Sequence, residues 1–336
     1  MRLPSALCAA GIVAASTLLL AGVAHPAQDS TGSLVTPAPI WAWPITPPAP
    51  STGPKAPQDM TPRRPPHSTA PGMAQSVIND INVVPDWFPD QHPKMPPIVS
   101  VGRPPEISPC GHCHLPTGYG RPENASLNGL PKSYFLEQLD DFRTGARKST
   151  QPGMHSIGLM VAYTKVMTPE EENAAADYFA SVKPVKWIRV VEADTIPKVH
   201  AQSLMMVVDP GNETEPIGDR VIEVSEDYEQ TELRNPTSGF VAYVPKGSLK
   251  RGEDLVRNGG GGKTMACTTC HGANLKGTGD IPSIAGRSPS QMIRQLIDFQ
   301  NGVRNGKNGQ MMKMPVAKLT ISDMVAITGY LASLEP

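Results

Sequence analysis

Apolar residues along this chain recur at two different periods, and the change of period divides it. In "KSYFLEQLDDFRTG", Tyr134, Leu136, Leu139 and Phe142 fall near one helical stripe that stops at Gly145. "SQMIRQLIDFQNG" repeats the pattern with Met292, Leu296 and Phe299. Two further helices are predicted to start at Thr168 and Thr320, where a threonine N-cap is followed by acidic residues. "SLKRGEDLVRNGG" predicts one more. The corresponding stretch "KMPPIVSVGRPPEISP" is too proline-rich for a helix, so "AQSVINDINVV" upstream is expected to replace it in packing. Between these helical regions, "KWIRVVEA", "SLMMVVD", "RVIEVSE" and "FVAYVP" are short and β-branched, with the turn-rich "PGNETEPIGD" among them. Residues 185–248 therefore predict a small strand-rich bridge.

The two helical regions are copies. "QLDDFRTGAR" from Gln138 matches "QLIDFQNGVR" from Gln295, an offset of 157 that Gly129 and Gly286 also obey. A tandem duplication is predicted over 76–184 and 249–336.

Composition changes the picture at the N-terminal end. "MRLPSALCAAGIVAASTLLLAGVA" pairs a basic start with an apolar run and small residues, which predicts a signal peptide over 1–24 and a periplasmic destination. An uncleaved segment would instead tie the chain to a membrane. Residues 25–75 hold 13 of the 37 prolines and show no apolar period. They predict an extended, disordered tether, with Trp41 and Trp43 as a candidate docking motif within it. Removal of Cys8 with the signal would leave four cysteines.

Those four stand in two matching strings, Cys110, Cys113, His114 and Cys267, Cys270, His271, again 157 apart. Two thiols at this spacing can each add to a vinyl group on one face of a haem, and the adjoining histidine then lies under the iron. A redox Cys-x-x-Cys would open a helix in a strand–helix alternation, which is missing here. A zinc site would normally need a second Cys or His pair nearby, and neither copy holds a second cysteine pair. Two covalently attached c-type haems are expected, with His114 and His271 on the irons. For the second axial position the copies offer Met154, Met160 and Met167, then Met311, Met312 and Met314. Overlaying "LMVAYTKVMT" on "MMKMPVAKLT" without a gap selects Met160 and Met312, with His155, Met154 and Met311 as rivals.

On these motifs the copies resemble class I cytochrome c domains, and their pairing resembles the bacterial two-haem cytochrome c family. The resemblance covers the two repeats and implies a mainly α fold of two tandem helical domains. It implies a Met ligand shortly before the last helix, which Met160 and Met312 match. It also implies a proline whose carbonyl contacts the axial histidine: Pro282 fits, but Ala125 stands at the first-copy position.

Charge is unevenly spread, with −3 in the first copy, −5 in the bridge and +5 in the second copy. The second copy could steer toward an acidic redox partner, and no nucleic-acid partner is expected from a net charge of −1. The resulting expectation is a single-electron carrier without catalytic residues, free or as the haem subunit of a dehydrogenase or respiratory complex. The alternative is a two-haem enzyme, such as a peroxide-reducing cytochrome, with an open or displaceable position at the first haem near His155.

Overall fold

The computed structural model describes residues 36–46 and 59–336. The signal segment and residues 25–35 and 47–58 of the tether lie outside the described residues. The first repeat contains α1 (Gln75–Ile78), α2 (Pro97–Ser100), α3 (Cys110–His114), α4 (Lys132–Thr144), α5 (His155–Thr164) and α6 (Pro169–Ser181). The bridge follows with β1 (Ile188–Ala193), β2 (Thr195–Pro197), β3 (Val199–Gln202), β4 (Met205–Val208), β5 (Thr214–Pro216), β6 (Ile222–Ser225), α7 (Tyr228–Glu232) and β7 (Phe240–Pro245). The second repeat supplies α8 (Ser248–Asn258), α9 (Thr268–His271), α10 (Pro289–Gln300), α11 (Lys313–Val316) and α12 (Ile321–Ser333).

Helix ends follow local chemistry. Thr168 caps α6 and Thr320 caps α12, each in a reciprocal box with the acidic residue three positions on, Glu171 or Asp323. A basic residue reaches each box from the chain ahead of the cysteine pair: Arg103 donates to Glu171, and Arg251 pairs with Asp323. In the second repeat α8 crosses α12 so closely that a Cβ on Gly252 would stand 2.1 Å from the Ala326 carbonyl oxygen. Only glycine permits that crossing.

The first repeat departs from this plan in two ways that correct the sequence expectation. The proline-rich stretch does form a helix, but only the single turn of α2. Pro97 sits in its first turn, where a missing N–H costs nothing, and Ile98 and Val99 bury against the Phe179 cluster. The upstream "AQSVINDINVV" does not replace it. Ile78 of α1 packs instead with Trp87 and Leu233 in a separate small core.

Every strand among the described residues lies between Ile188 and Pro245. The main sheet has the order β1-β7-β6, with β1 parallel and β6 antiparallel to β7. Val244 of β7 shares one core with Met324, Val325 and Ile327 of α12, so the bridge is seated on the second repeat. Two short antiparallel pairs, β2/β5 and β3/β4, complete it.

Residues 36–46 of the tether are packed, which corrects the expectation of a disordered tether there, while residues 59–73 are mostly exposed. Trp43 is 2% exposed, and its indole N–H donates to Ser149 Oγ at 3.1 Å. Thr36 exchanges hydrogen bonds with the Asn301 side chain at 2.9 and 2.7 Å, so this segment touches both repeats. The tryptophan therefore folds back on its own chain, because a large apolar ring gains more by burial than a spacer gains by freedom.

Trp43→Ala is expected to lower stability by about 3–5 kcal/mol, read as a shift of the denaturant midpoint. An unchanged midpoint would detach residues 36–46 from the core. A second prediction concerns acid. Burial pulls the Asp323 carboxyl upward, but hydrogen bonds from Lys263 and Thr320 and the Arg251 charge outweigh it and hold the group below its ordinary 3.8. The stability so gained is present above 3.8 and is lost as pH falls through the lower folded value. Asp323→Ala should cost about 1 kcal/mol at neutral pH and flatten the acid limb of a thermal melt series.

Candidate functional site

The cysteine–histidine strings fold into matching turns. α3 spans Cys110–His114 and α9 spans Thr268–His271, so each histidine lies at the end of a short helix begun by its cysteines. The chain then leaves through a left-handed residue, Gly272 at φ 83° in the second copy and Leu115 at φ 61° in the first. Glycine takes that conformation freely, while leucine is strained in it. Leu115 is 1% exposed, and its burial among Tyr119, Trp187 and Phe240 helps offset the strain.

Each histidine is oriented by a main-chain carbonyl eleven residues on. His271 Nδ1 lies 2.8 Å from the Pro282 oxygen, and His114 Nδ1 lies 2.9 Å from the Ala125 oxygen. A carbonyl only accepts, so Nδ1 carries the proton and Nε2 keeps its lone pair for a metal. The alanine at the first-copy position therefore changes nothing in this contact, because the contact uses the carbonyl and not the ring. Burial lowers the pKa of both imidazoles, which favours the neutral form that binds a metal. Burial also pushes the Cys110 thiol up to about 12 and the Cys267 thiol up to about 11.

One continuous cavity of about 810 Å³ is lined by Cys110, Cys113, His114 and Met160 and by Cys267, Cys270, His271 and Met312. Met160 sits on α5 against the Phe135–Phe179 core, and Met312 packs half-buried on the second core. Met154 also touches the cavity but is 5% exposed and belongs to the apolar core around Trp43. Met311 and Met314 stand at the rim, 61% and 67% exposed. His155 is exposed at the first residue of α5 and is not among the lining residues.

Sequence reasoning missed a second group on the same cavity. Arg147 and Arg304, equivalent in the two repeats, lie antiparallel where the copies meet. Arg147 donates to Gln138 at 2.9 Å and to Gln295 at 3.1 Å, and Arg304 donates to the same two oxygens at 2.8 and 2.9 Å. Each guanidinium also covers the phenyl ring of its own repeat, Phe142 or Phe299. Arg287 and Arg294 complete the set, and all four are less than 10% exposed. Burial brings Arg147, Arg287 and Arg294 down to about 10, still protonated at neutral pH.

None of the four forms an ion pair among the described residues; the arginines that do include Arg121 with Glu123, Arg143 with Glu172 and Arg251 with Asp323. Arg287 Nε, Arg294 Nη1 and Arg304 Nε have no hydrogen-bond partner at all. Asp141, Asp298, Glu123 and Glu223 lie near enough for their charges to act on Arg147 or Arg294 but form no ion pair with them, so the free N–H groups leave room for a further anion. A haem brings a pair of propionate carboxylates, a flat apolar ring for the cavity walls, and an iron for Nε2 of each histidine. The residues present fit that group twice. The repeated "QLxDFxxGxR" string carried this signal in sequence, since its Gln, Asp and Arg recur at one offset although none serves an apolar stripe.

Comparison with known proteins agrees. The cytochrome c family model matches residues 250–335. Cytochrome c-554(547) of Halothiobacillus neapolitanus is 31% identical over 85 residues, 93% of that protein and 22% of this chain. Cytochrome c4 of Stutzerimonas stutzeri is 23% identical across 86% of its length and 68% of this chain. The thiosulfate dehydrogenase electron acceptor of Thiomonas intermedia (strain K12) is 24% identical across 80% of its length and 68% of this chain. With a haem-attachment turn in each repeat and these relatives beside it, the chain belongs to the cytochrome c family in its two-haem form and carries two covalently attached haem c groups.

Proposed function

We propose that the protein is an exported carrier of single electrons whose two haems are each held between a histidine and a methionine. His114 and Met160 serve the first, and His271 and Met312 serve the second. The cysteines of each repeat, Cys110 with Cys113 and Cys267 with Cys270, hold the ring by thioether bonds. The observation that carries this reading is the shared cavity wall: each repeat brings a neutral, carbonyl-oriented imidazole and a thioether to the same space. A thioether opposite the histidine raises the potential and suits a carrier working toward a terminal acceptor.

An enzyme would need an acid–base side chain beside an open iron position. The residue that suggested one, His155, is exposed and off the cavity, so the carrier is the better reading. Redox proteins are the partners. The relative named as an electron acceptor of thiosulfate dehydrogenase supports a dehydrogenase as donor. The +5 of residues 249–336 supports an acidic face on one partner, an attraction that weakens with salt. No helix among the described residues is long and apolar enough to cross a membrane.

Carbon monoxide provides the first test. The reduced protein is expected to bind it slowly or not at all at both haems, because each iron already has its methionine. Rapid uptake at one haem together with peroxide turnover would transfer the assignment to the enzyme reading. Substitution tests the ligands themselves. Met160→His and Met312→His should each lower the midpoint potential of one haem and leave the other nearly unmoved in a spectroelectrochemical titration. If Met154→Leu or Met311→Leu has that effect instead, the ligand in that repeat has been misassigned.

A further inference from the structure

Arg287 and Arg294 belong to the second repeat, yet their hydrogen bonds fall on the first. Arg287 Nη1 donates to Asn128 Oδ1 at 2.8 Å and to the Ser126 carbonyl at 3.3 Å, while Nη2 donates to the Asn128 carbonyl at 2.8 Å. Arg294 Nη2 donates to the Pro122 carbonyl, and its Nε donates back to Ser290 of its own helix. These acceptors bracket Ala125, the residue whose carbonyl orients His114.

The reverse arrangement is missing. At the offset of 157, the first-repeat counterparts of the two arginines are Leu130 and Glu137. Leucine cannot donate, and Glu137 accepts from Asn308 instead. Among the described residues, the side-chain hydrogen bond from the first repeat to the equivalent loop at 279–285 is an exposed one, Ser133 to Asp280.

Charge makes the difference sharper. Arg294 feels Glu223, Glu123 and Asp298. Around Arg287 the titratable neighbours that act on it are Tyr134 and Tyr119, and its three hydrogen bonds all go to neutral oxygens. Its remaining Nε–H has no partner and the residue lines the cavity.

We propose that Arg287, supported by Arg294, is a positioning residue through which the second repeat sets the redox behaviour of the first haem. Its fork locks the loop that orients His114, and its charge is left for the cofactor to answer. Reduction lowers the positive charge at an iron by one, so a nearby buried cation favours the reduced state. The loop that orients the first haem's histidine is thus gripped across the repeat boundary, while among the described residues no first-repeat arginine grips the loop that orients His271. This inference rests on His114 being an iron ligand.

The test uses the full chain with both haems attached. The wild-type spectrum first checks the ligation: a high-spin first haem would remove the His/Met reading without bearing on Arg287. The two redox steps are assigned in a Met312→His background, which lowers the second haem's potential away from that of the first. Arg287→Gln is expected to shift the first haem's one-electron equilibrium roughly tenfold toward the oxidised form, ~59 mV, with a much smaller shift at the second. Arg287→Lys, which keeps the charge but loses the fork, should recover most of it. Should Arg287→Gln fail to take up both haems, Arg294→Gln must still give a smaller shift of the same sign at the first haem alone. Equal shifts at both haems, or none at either with haem content unchanged, would overturn the proposal.

Discussion

Four buried guanidinium groups, none of them in an ion pair among the described residues, set the terms for the rest of this molecule. A buried charge costs several kcal/mol after relaxation, and the carboxylates that act on Arg147 and Arg294, Asp141, Asp298, Glu123 and Glu223, answer these four only in part. Arg147 and Arg304 are also what the two repeats share, each donating to a glutamine of either copy. The same arginines line the cavity, so the contact between the copies and the wall of the cofactor site are built from shared residues.

The duplication is not symmetric in what supports it. The second repeat has the full crossing of α8 on α12 and carries the bridge sheet on the same helix. The first keeps one turn of the equivalent helix and is helped from outside. The 36–46 segment and the loop contacts of Arg287 and Arg294 reach it from elsewhere in the chain. A copy that has lost local packing has gained tertiary contacts, and those contacts link its cofactor site to the other repeat. The strained Leu115, in a position that glycine fills in the second copy, belongs to the same pattern.

Much of the site was legible in sequence because covalent attachment demands a fixed spacing. Cys-x-x-Cys-His admits few other chemistries, the offset of 157 carried over from the motif to the helix at Gln138 and Gln295, and the methionines 152 apart followed from the threonine caps, which stand at that same spacing. The caps at Thr168 and Thr320 were readable for a similar reason, since an N-cap acts within one turn. The helical stripes were read less well. Phe135, Gln138 and Asp141 of α4 are buried while Tyr134 and Leu136 are only half so, because that helix faces a cavity with polar needs as well as an apolar core.

What the sequence determined by itself was local: the attachment turns, the capped helices, the β-branched bridge and the fact of duplication. Each depends on residues a few positions apart, or on one string written twice. Tertiary structure decided whatever depends on residues far apart in the chain. It brought Trp43 of the proline-rich stretch onto the core, and it let the Ala125 carbonyl stand in for that of a proline. It also turned four scattered arginines into one buried charged cluster. No pattern along a chain reports where a guanidinium's counter-charge will be, because that depends on which surfaces meet once the repeats have packed.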